Sequence, residues 1–294
     1  MNEYVADVIH EGLHFGEGPR WHLERLWYSD FYRHAILSVA ADGSNERVEH
    51  TVEGQSSGLG WMPDGDLVYV SMLDHRVVRV HDGVEETIAD ISEYCGFWAN
   101  DMVVSATGYA YVGNFGFDFD LLMRDHGVEG LLASPIPTTH LVVIDPLGNV
   151  IQAVADMAFP NGAVITTDGA TLIVGESTAL RLTAFTIGAD GTLSERRVWA
   201  PLDVVAPDGN CLDANGEVWV ANALANQCLR VSEGGEVTGV VTTSQNAYAC
   251  VLGGSDRRTL YVMTAPTSSR FEVADATNGK IEAVRVSVPG VGLP

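Results

Sequence analysis

Two carboxylates, Glu17 and Asp208, and two carboxamides, Asn100 and Asn161, stand at equivalent points of a sequence that repeats itself. Each opens a short apolar stretch: "EGPRWH", "NDMVVS", "NGAVIT" and "DGNCLD". Oxygen donors of this kind suit a hard divalent cation, whereas a zinc site built on nitrogen and sulfur would need His or Cys among them. Two carboxylates converging in a partly dry channel repel each other, and a divalent cation removes that repulsion. Taken singly, each residue is an ordinary turn former: Glu17 precedes Gly18-Pro19, Asn161 follows Pro160, and Asp208-Gly209 is a common turn dipeptide. Their recurrence at one phase of one repeat joins them into a candidate site.

The repeat must position them. Its unit is a small or polar entry, an apolar strand, a D-G, N-G or T-G turn, a second strand, and a third with alternating apolar residues. Units start near Gly18, Gly58, Asn100, Asn161, Pro207 and Ala249, about 40 to 46 residues apart except for a longer third unit. This period predicts an all-β fold, a six-bladed β-propeller with four-stranded blades around a central channel. One domain over 1–294 is expected, because no linker-like shift in composition interrupts the series. The extra length falls at 116–137, an insertion placed as a lid over one end of the channel. Helical signals are nearly absent; "TIADISEYCGFW" offers one turn. "YVADVIHEG" and "IEAVRVSVP", from opposite chain ends, are expected to pair in one blade and close the ring. The first residues of the innermost strands surround one opening of the channel. Those positions hold Glu17, Ser57, Asn100, Asn161, Asp208 and Tyr248.

The formal charge of −23 on 294 residues argues against nucleic-acid and anionic-membrane partners, which need basic patches. No apolar run reaches the ~18 residues of a membrane span, and the amino terminus lacks the pattern of a secretory signal. The expectation is a soluble, cytoplasmic protein, a monomer or weak homo-oligomer. Cys95, Cys211, Cys228 and Cys250 are scattered, without a CxxC pair, and are expected to be buried free thiols. "GQSSG" (54–58) fits G-x-S-x-G but joins two strands, where a serine nucleophile needs a strand-to-helix turn. Trp27, Trp61 and Trp219 are assigned to packing between blades. His14 and His22, beside the first site residue, are assigned to turn or core roles rather than to proton shuttling.

The segments "FGEGPRWHLERLWYSD", "NDMVVSATGYAYVGN", "FPNGAVITTDGATLIVGES" and "PDGNCLDANGEVWVAN" resemble, in order and across the chain, the signatures of the SMP-30/gluconolactonase/LRE-like family. The resemblance implies a six-bladed propeller holding one divalent cation, often calcium, that hydrolyses lactones. It assigns metal ligation to Glu17, Asn161 and Asp208, and the general base to Asp208. It makes Asn100 a substrate-binding or additional metal residue. Calcium is the expected cofactor, with Mn2+, Mg2+, Zn2+ or Fe2+ as substitutes, and a small-molecule lactone the expected partner. Sugar-lactone members carry an arginine two residues before that asparagine, where this chain has Trp98; Asp118 falls where they carry a substrate-binding glutamate. With Phe97, Phe115, Phe117, Phe119, Leu121, Leu122 and Met123 nearby, Trp98 predicts a substrate less hydroxylated than a sugar lactone. A phosphotriesterase or phosphofluoridate-type hydrolase, and a non-enzymatic binding propeller with structural calcium, are the alternatives.

Overall fold

The computed structural model describes residues 1–133, 135–291 and 293, with only the backbone course for 128–133. Six sheets follow one another along the chain, each with four antiparallel strands; in five of them these run in sequence order from the axis outward, and in the sixth the outermost comes from the amino-terminal segment. The innermost strands are Gly16–His22, Ser56–Trp61, Ala99–Val104, Pro160–Ile165, Pro207–Leu212 and Asn246–Gly253. These define blades 1 to 6. Inner strands such as Ala99–Val104 are buried throughout, whereas the outer strand Val84–Asp90 alternates little and faces water. That gradient explains the uneven hydropathy of the repeat: strands buried on both faces need apolar residues at every position. Between blades, side chains from facing sheets interdigitate. One such layer packs Met62, Val70 and Ile91 of blade 2 against Met102, Val112 and Ile144 of blade 3.

The ring closes as the sequence predicts. Asp7–Leu13 adds to blade 6 by pairing antiparallel with Gly279–Arg285. The first residues diverge from that expectation: Asn2–Val5 pairs parallel with Val237–Thr242, giving blade 5 a fifth strand. The two chain ends thus fasten both blades 5 and 6, leaving no open edge at the seam. The turn expected near residues 87–98 is a single 3-10 turn at Ser92–Tyr94. Two helices were not foreseen. Helix α1 (Phe119–Ala133) forms most of the insertion, with a break at Gly127, and helix α2 (Arg270–Val273) lies in the loop between the last strands of blade 6.

Each inner strand breaks register with its neighbour at its entry. The breaks fall between Glu17 and Arg20, Ser56 and Leu59, Ala99 and Met102, Pro160 and Ala163, Pro207 and Asn210, and Ala247 and Ala249. A bulge leaves its extra residue unpaired and re-aims it. In five blades the unpaired stretch contains the residue singled out by the repeat; in blade 1 Glu17 keeps its pairing with Ser29, and Gly18 and Pro19 are the unpaired residues. Close approach demands glycine at the next position in four blades: a Cβ on Gly58 would sit 2.2 Å from the Met102 nitrogen, and one on Gly162 would sit 2.4 Å from the Asp208 oxygen. Small residues there let the inner strands crowd the axis.

Candidate metal centre

The bulges gather the predicted residues at one mouth of the channel. Glu17 and Asp208 come within electrostatic reach of each other across blades 1 and 5. Asn100 of blade 3 donates from Nδ2 to Oδ1 of Asn161 in blade 4 at 3.0 Å, and the Asn161 side chain also hydrogen-bonds Asp208. Behind them, Asn161 Nδ2 donates to Ser177 Oγ at 3.2 Å, and Ser177 donates to the Pro207 carbonyl at 2.7 Å. That chain fixes the Asn161 carboxamide against the strand that carries Asp208. Glu17, Asn100 and Asn161 are buried; Asp208 keeps partial exposure.

The electrostatics of the pair are unfavourable by themselves. Burial pushes the Glu17 carboxyl well above its ordinary range, and the charges of Asp208 and Asp101 push it further. Asp208 is raised chiefly by burial and by Asp101, against the hydrogen bond from Asn161. Tyr248, at the entry of blade 6, is pushed up to about 12 by burial, with smaller contributions from Asp208 and Glu17. It therefore stays a neutral phenol on the wall of the site.

Asp101 and Arg20 were missed in the sequence, yet they form the floor. Arg20 pairs with Asp101 at 3.1 Å and donates to the carbonyls of Pro19, Leu59 and Met102, tying blades 1, 2 and 3 together beneath the mouth. Asp101 occupies the phase held by Gly18, Gly58, Gly162, Gly209 and Ala249 in the other blades. One aspartate among five small residues was the available signal. Three carboxylates thus answer to one guanidinium, and that guanidinium is fully engaged. Among the described residues, no group of three or more His, Cys, Asp and Glu side chains is arranged to hold a metal. What gathers is two unpaired carboxylates with two carboxamides, an all-oxygen set that fits a hard cation.

The two predicted rim residues have other partners. Asp118 caps α1, accepting from the Leu121 N–H at 3.0 Å, and holds both terminal nitrogens of Arg270 at 2.7 and 2.8 Å. The Trp98 indole stacks on Phe97 at 4.6 Å, with the Arg270 guanidinium 5.0 Å over its ring. Trp98 and Phe115 border the cluster of Phe15, Phe31, Met72 and Tyr248 beside the acids. Phe117 and Phe119 instead pack on Phe159.

Other assignments hold. Ser56 begins a strand, Trp27 and Trp61 pack edge to face at 5.4 Å, and Trp219 is fully buried. His14 bonds the Ala274 carbonyl at 2.8 Å, and His22 stacks on Trp61 at 3.8 Å at the far end of its strand. Neither serves the acids. A cavity of about 830 Å³ lies at that far end, among Trp21, His22, Trp61, Tyr109 and Arg257. Glu17 and Asp208 do not line it. The cysteines are free, but Cys95 is only half-buried where burial was expected, and the other three are scattered only in sequence: Cys211, Cys228 and Cys250 lie in one buried cluster.

The fold has many solved counterparts. A calcium-binding protein, regucalcin, from Agrobacterium tumefaciens superposes with a TM-score of 0.80 at 18% identity, covering 100% of this chain and 98% of that one. The 6-deoxy-6-sulfogluconolactonase of Pseudomonas putida is 30% identical over 306 residues, covering 100% of this chain and 99% of the relative. Regucalcin of Danio rerio is 25% identical over 275 residues, covering 89% of this chain and 86% of the relative. The family model described as the SMP-30/Gluconolactonase/LRE-like region matches residues 15–266. The chain belongs to the SMP-30/gluconolactonase/LRE-like family.

Proposed function

We propose that this protein is a divalent-metal-dependent hydrolase that opens a lactone ring. The observation that carries it is the pair Glu17 and Asp208, two carboxylates brought together at the channel mouth beside Asn100 and Asn161, which burial and neighbouring carboxylates hold above their ordinary range, and which, among the described residues, have no salt-bridge partner. Glu17, Asn161 and Asp208 would hold the cation, with Asn100 beside them. Bound there, the cation would polarise the lactone carbonyl and stabilise the charge that develops on its oxygen. Oxygen donors and the calcium-binding relative favour calcium. The lactone substrate class follows from the name of the Pseudomonas relative.

The protein's own residues divide the remaining work by exposure. Glu17 is shut in and suits ligation alone; Asp208 retains access to solvent and accepts a proton from the attacking water. Asn100, held in place by Asn161, offers its carboxamide to the substrate. Phe97, Trp98 and Phe115 border the entrance, so the substrate carries an alkyl or aromatic group. Arg270 does not reverse that reading, because Asp118 occupies both its terminal nitrogens and neutralises it. The buried free thiols fit a reducing, cytoplasmic setting.

The test is lactone hydrolysis followed with a pH indicator, before and after exhaustive chelation and after calcium is restored. Loss and recovery are expected. Activity that survived complete metal removal would overturn the reading.

A further inference from the structure

Three of the four cysteines meet at one point between blades 5 and 6. Cys211 lies on the inner strand of blade 5, Cys228 on its third strand (Gln227–Val231), and Cys250 on the inner strand of blade 6. The Cys250 sulfur reaches across the interface to within 3.8 Å of the Cys211 sulfur and 3.5 Å of the Gly209 and Trp219 carbonyl oxygens. Cys228 belongs to the same buried cluster. The strand between them makes room with Ala221, which pairs with Cys228. All three residues are essentially inaccessible, and none serves the acids at the mouth.

Core packing alone does not require this. A buried cysteine behaves as a small apolar side chain, and alanine, serine or valine fill such places as well. A thiol set 3.8 Å from a second thiol across a blade interface has a partner for disulfide formation that a lone thiol lacks. The two inner strands are already close: a Cβ on Gly209 would lie 2.7 Å from the Ala249 Cα. The Cys211 and Cys250 sulfurs stand about 1.8 Å beyond the ~2.05 Å bonding length.

We infer that Cys211, Cys228 and Cys250 form an oxidisable thiol site that hydrogen peroxide, small and neutral, converts to a Cys211–Cys250 disulfide joining the inner strands of blades 5 and 6. One thiol sulfur, that of Cys250, attacks the peroxide O–O bond and becomes a sulfenic acid as the first water leaves. The Cys211 sulfur then attacks that sulfur, and the displaced hydroxide leaves as a second water with the Cys211 proton. Two thiols are oxidised by two electrons, and one peroxide is reduced to two waters. The bond removes the Cys250 S–H from the Gly209 carbonyl, one residue from Asp208, so the oxidised protein carries a changed backbone contact at the mouth.

Peptide mapping tests this without reference to any activity. The full-length, folded protein is treated with hydrogen peroxide, its remaining thiols are alkylated in denaturant, and it is digested without reductant. Trypsin leaves Cys211 and Cys228 on one peptide, so a glutamate-specific protease is added to cut between them at Glu217. The expected product links the Cys211 and Cys250 peptides, is lighter than their sum by two hydrogens, leaves Cys228 alkylated, and disappears with dithiothreitol. A Cys211→Ser protein should lose that product. The proposal is overturned if the cluster thiols remain fully alkylatable at peroxide doses that oxidise exposed methionines. It is equally overturned if the link involves Cys95, joins Cys228 to Cys250 in the unsubstituted protein, or forms only after unfolding.

Discussion

Glu17 and Glu176 are both glutamates buried in the propeller, and their surroundings are opposite. Glu176, at the end of the second strand of blade 4, receives Arg181 at 2.8 Å, Arg196 at 3.2 Å and the Ala158 N–H at 2.8 Å. Burial pushes its carboxyl up, but Thr183, Ala158 and Arg181 together hold it below the ordinary range. Glu17 has Asp208 and Asp101 for neighbours, and the one guanidinium in reach is committed to Asp101. Depth does not separate a structural acid from a functional one; what answers its charge does. Glu176 is complete as it stands, whereas Glu17 and Asp208, on the proposed reading, are completed by a cation.

The largest effect that sharpens this contrast lies at Asp208. Asp208→Ala removes base and ligand together and should lower kcat for lactone opening by about a thousandfold or more. Asp208→Asn should retain part of the calcium affinity, measured by titration calorimetry, while losing most of the turnover. Near-normal kcat in Asp208→Ala would falsify the assignment.

Removing the two glutamates should separate them next. Glu176→Gln strands two guanidinium groups that are about a third exposed, and should destabilise the fold by about 2–3 kcal/mol with little change in kcat. Glu17→Gln should do the reverse: in chelator it should leave stability unchanged or raise it, while weakening calcium binding. Urea unfolding in chelator and in calcium reads both. Equal destabilisation by the two substitutions in chelator would erase the contrast.

The pH dependence follows with a definite sign. Glu17 and Asp208 hold their protons more tightly folded than unfolded, so between the ordinary carboxylate range and their raised values the folded state binds more protons. Metal-free stability from this pair is therefore full at acid pH and is lost as pH rises, by at most about 1.4 kcal/mol per pH unit for each proton. Glu176, with its depressed value, works the other way: its contribution is present at neutral pH and is lost on acidification. Thermal unfolding in chelator should show a falling limb toward neutral pH that calcium or Glu17→Gln flattens. Persistence of that limb in the Glu17→Gln protein would assign it to the net charge of −23 instead.

The fold was legible because the repeat states it six times over, and Glu17, Asn100, Asn161 and Asp208 because each occupies one phase of it. Asp101 was hidden by standing next to Asn100, where a single-phase search takes only one residue per blade. Arg20 was hidden because its partners come from three blades, and sequence distance says nothing about them. Helix α1 escaped because its apolar residues keep no helical period and a glycine, Gly127, breaks it near the centre. The thiol cluster escaped for the reason Arg20 did: Cys211, Cys228 and Cys250 are brought together by blade packing, not by spacing.

The smallest effect concerns Trp98, which borders the aromatic cluster beside the acids and carries Arg270 over its ring. If the rim reads an apolar group, Trp98→Arg should shift the ratio of kcat/KM for an alkyl-substituted lactone over gluconolactone by about tenfold toward the sugar, the worth of roughly two buried methylenes. The new guanidinium would meet that of Arg270 and compete for Asp118, which both charges need. Trp98→Leu separates the two causes, since it removes the aromatic face without adding charge and should lower the apolar preference less. A native enzyme that already favours gluconolactone, or a ratio that neither substitution moves, would mean that Trp98 and Phe115 serve only to pack α1 and α2 onto the blades and never meet substrate.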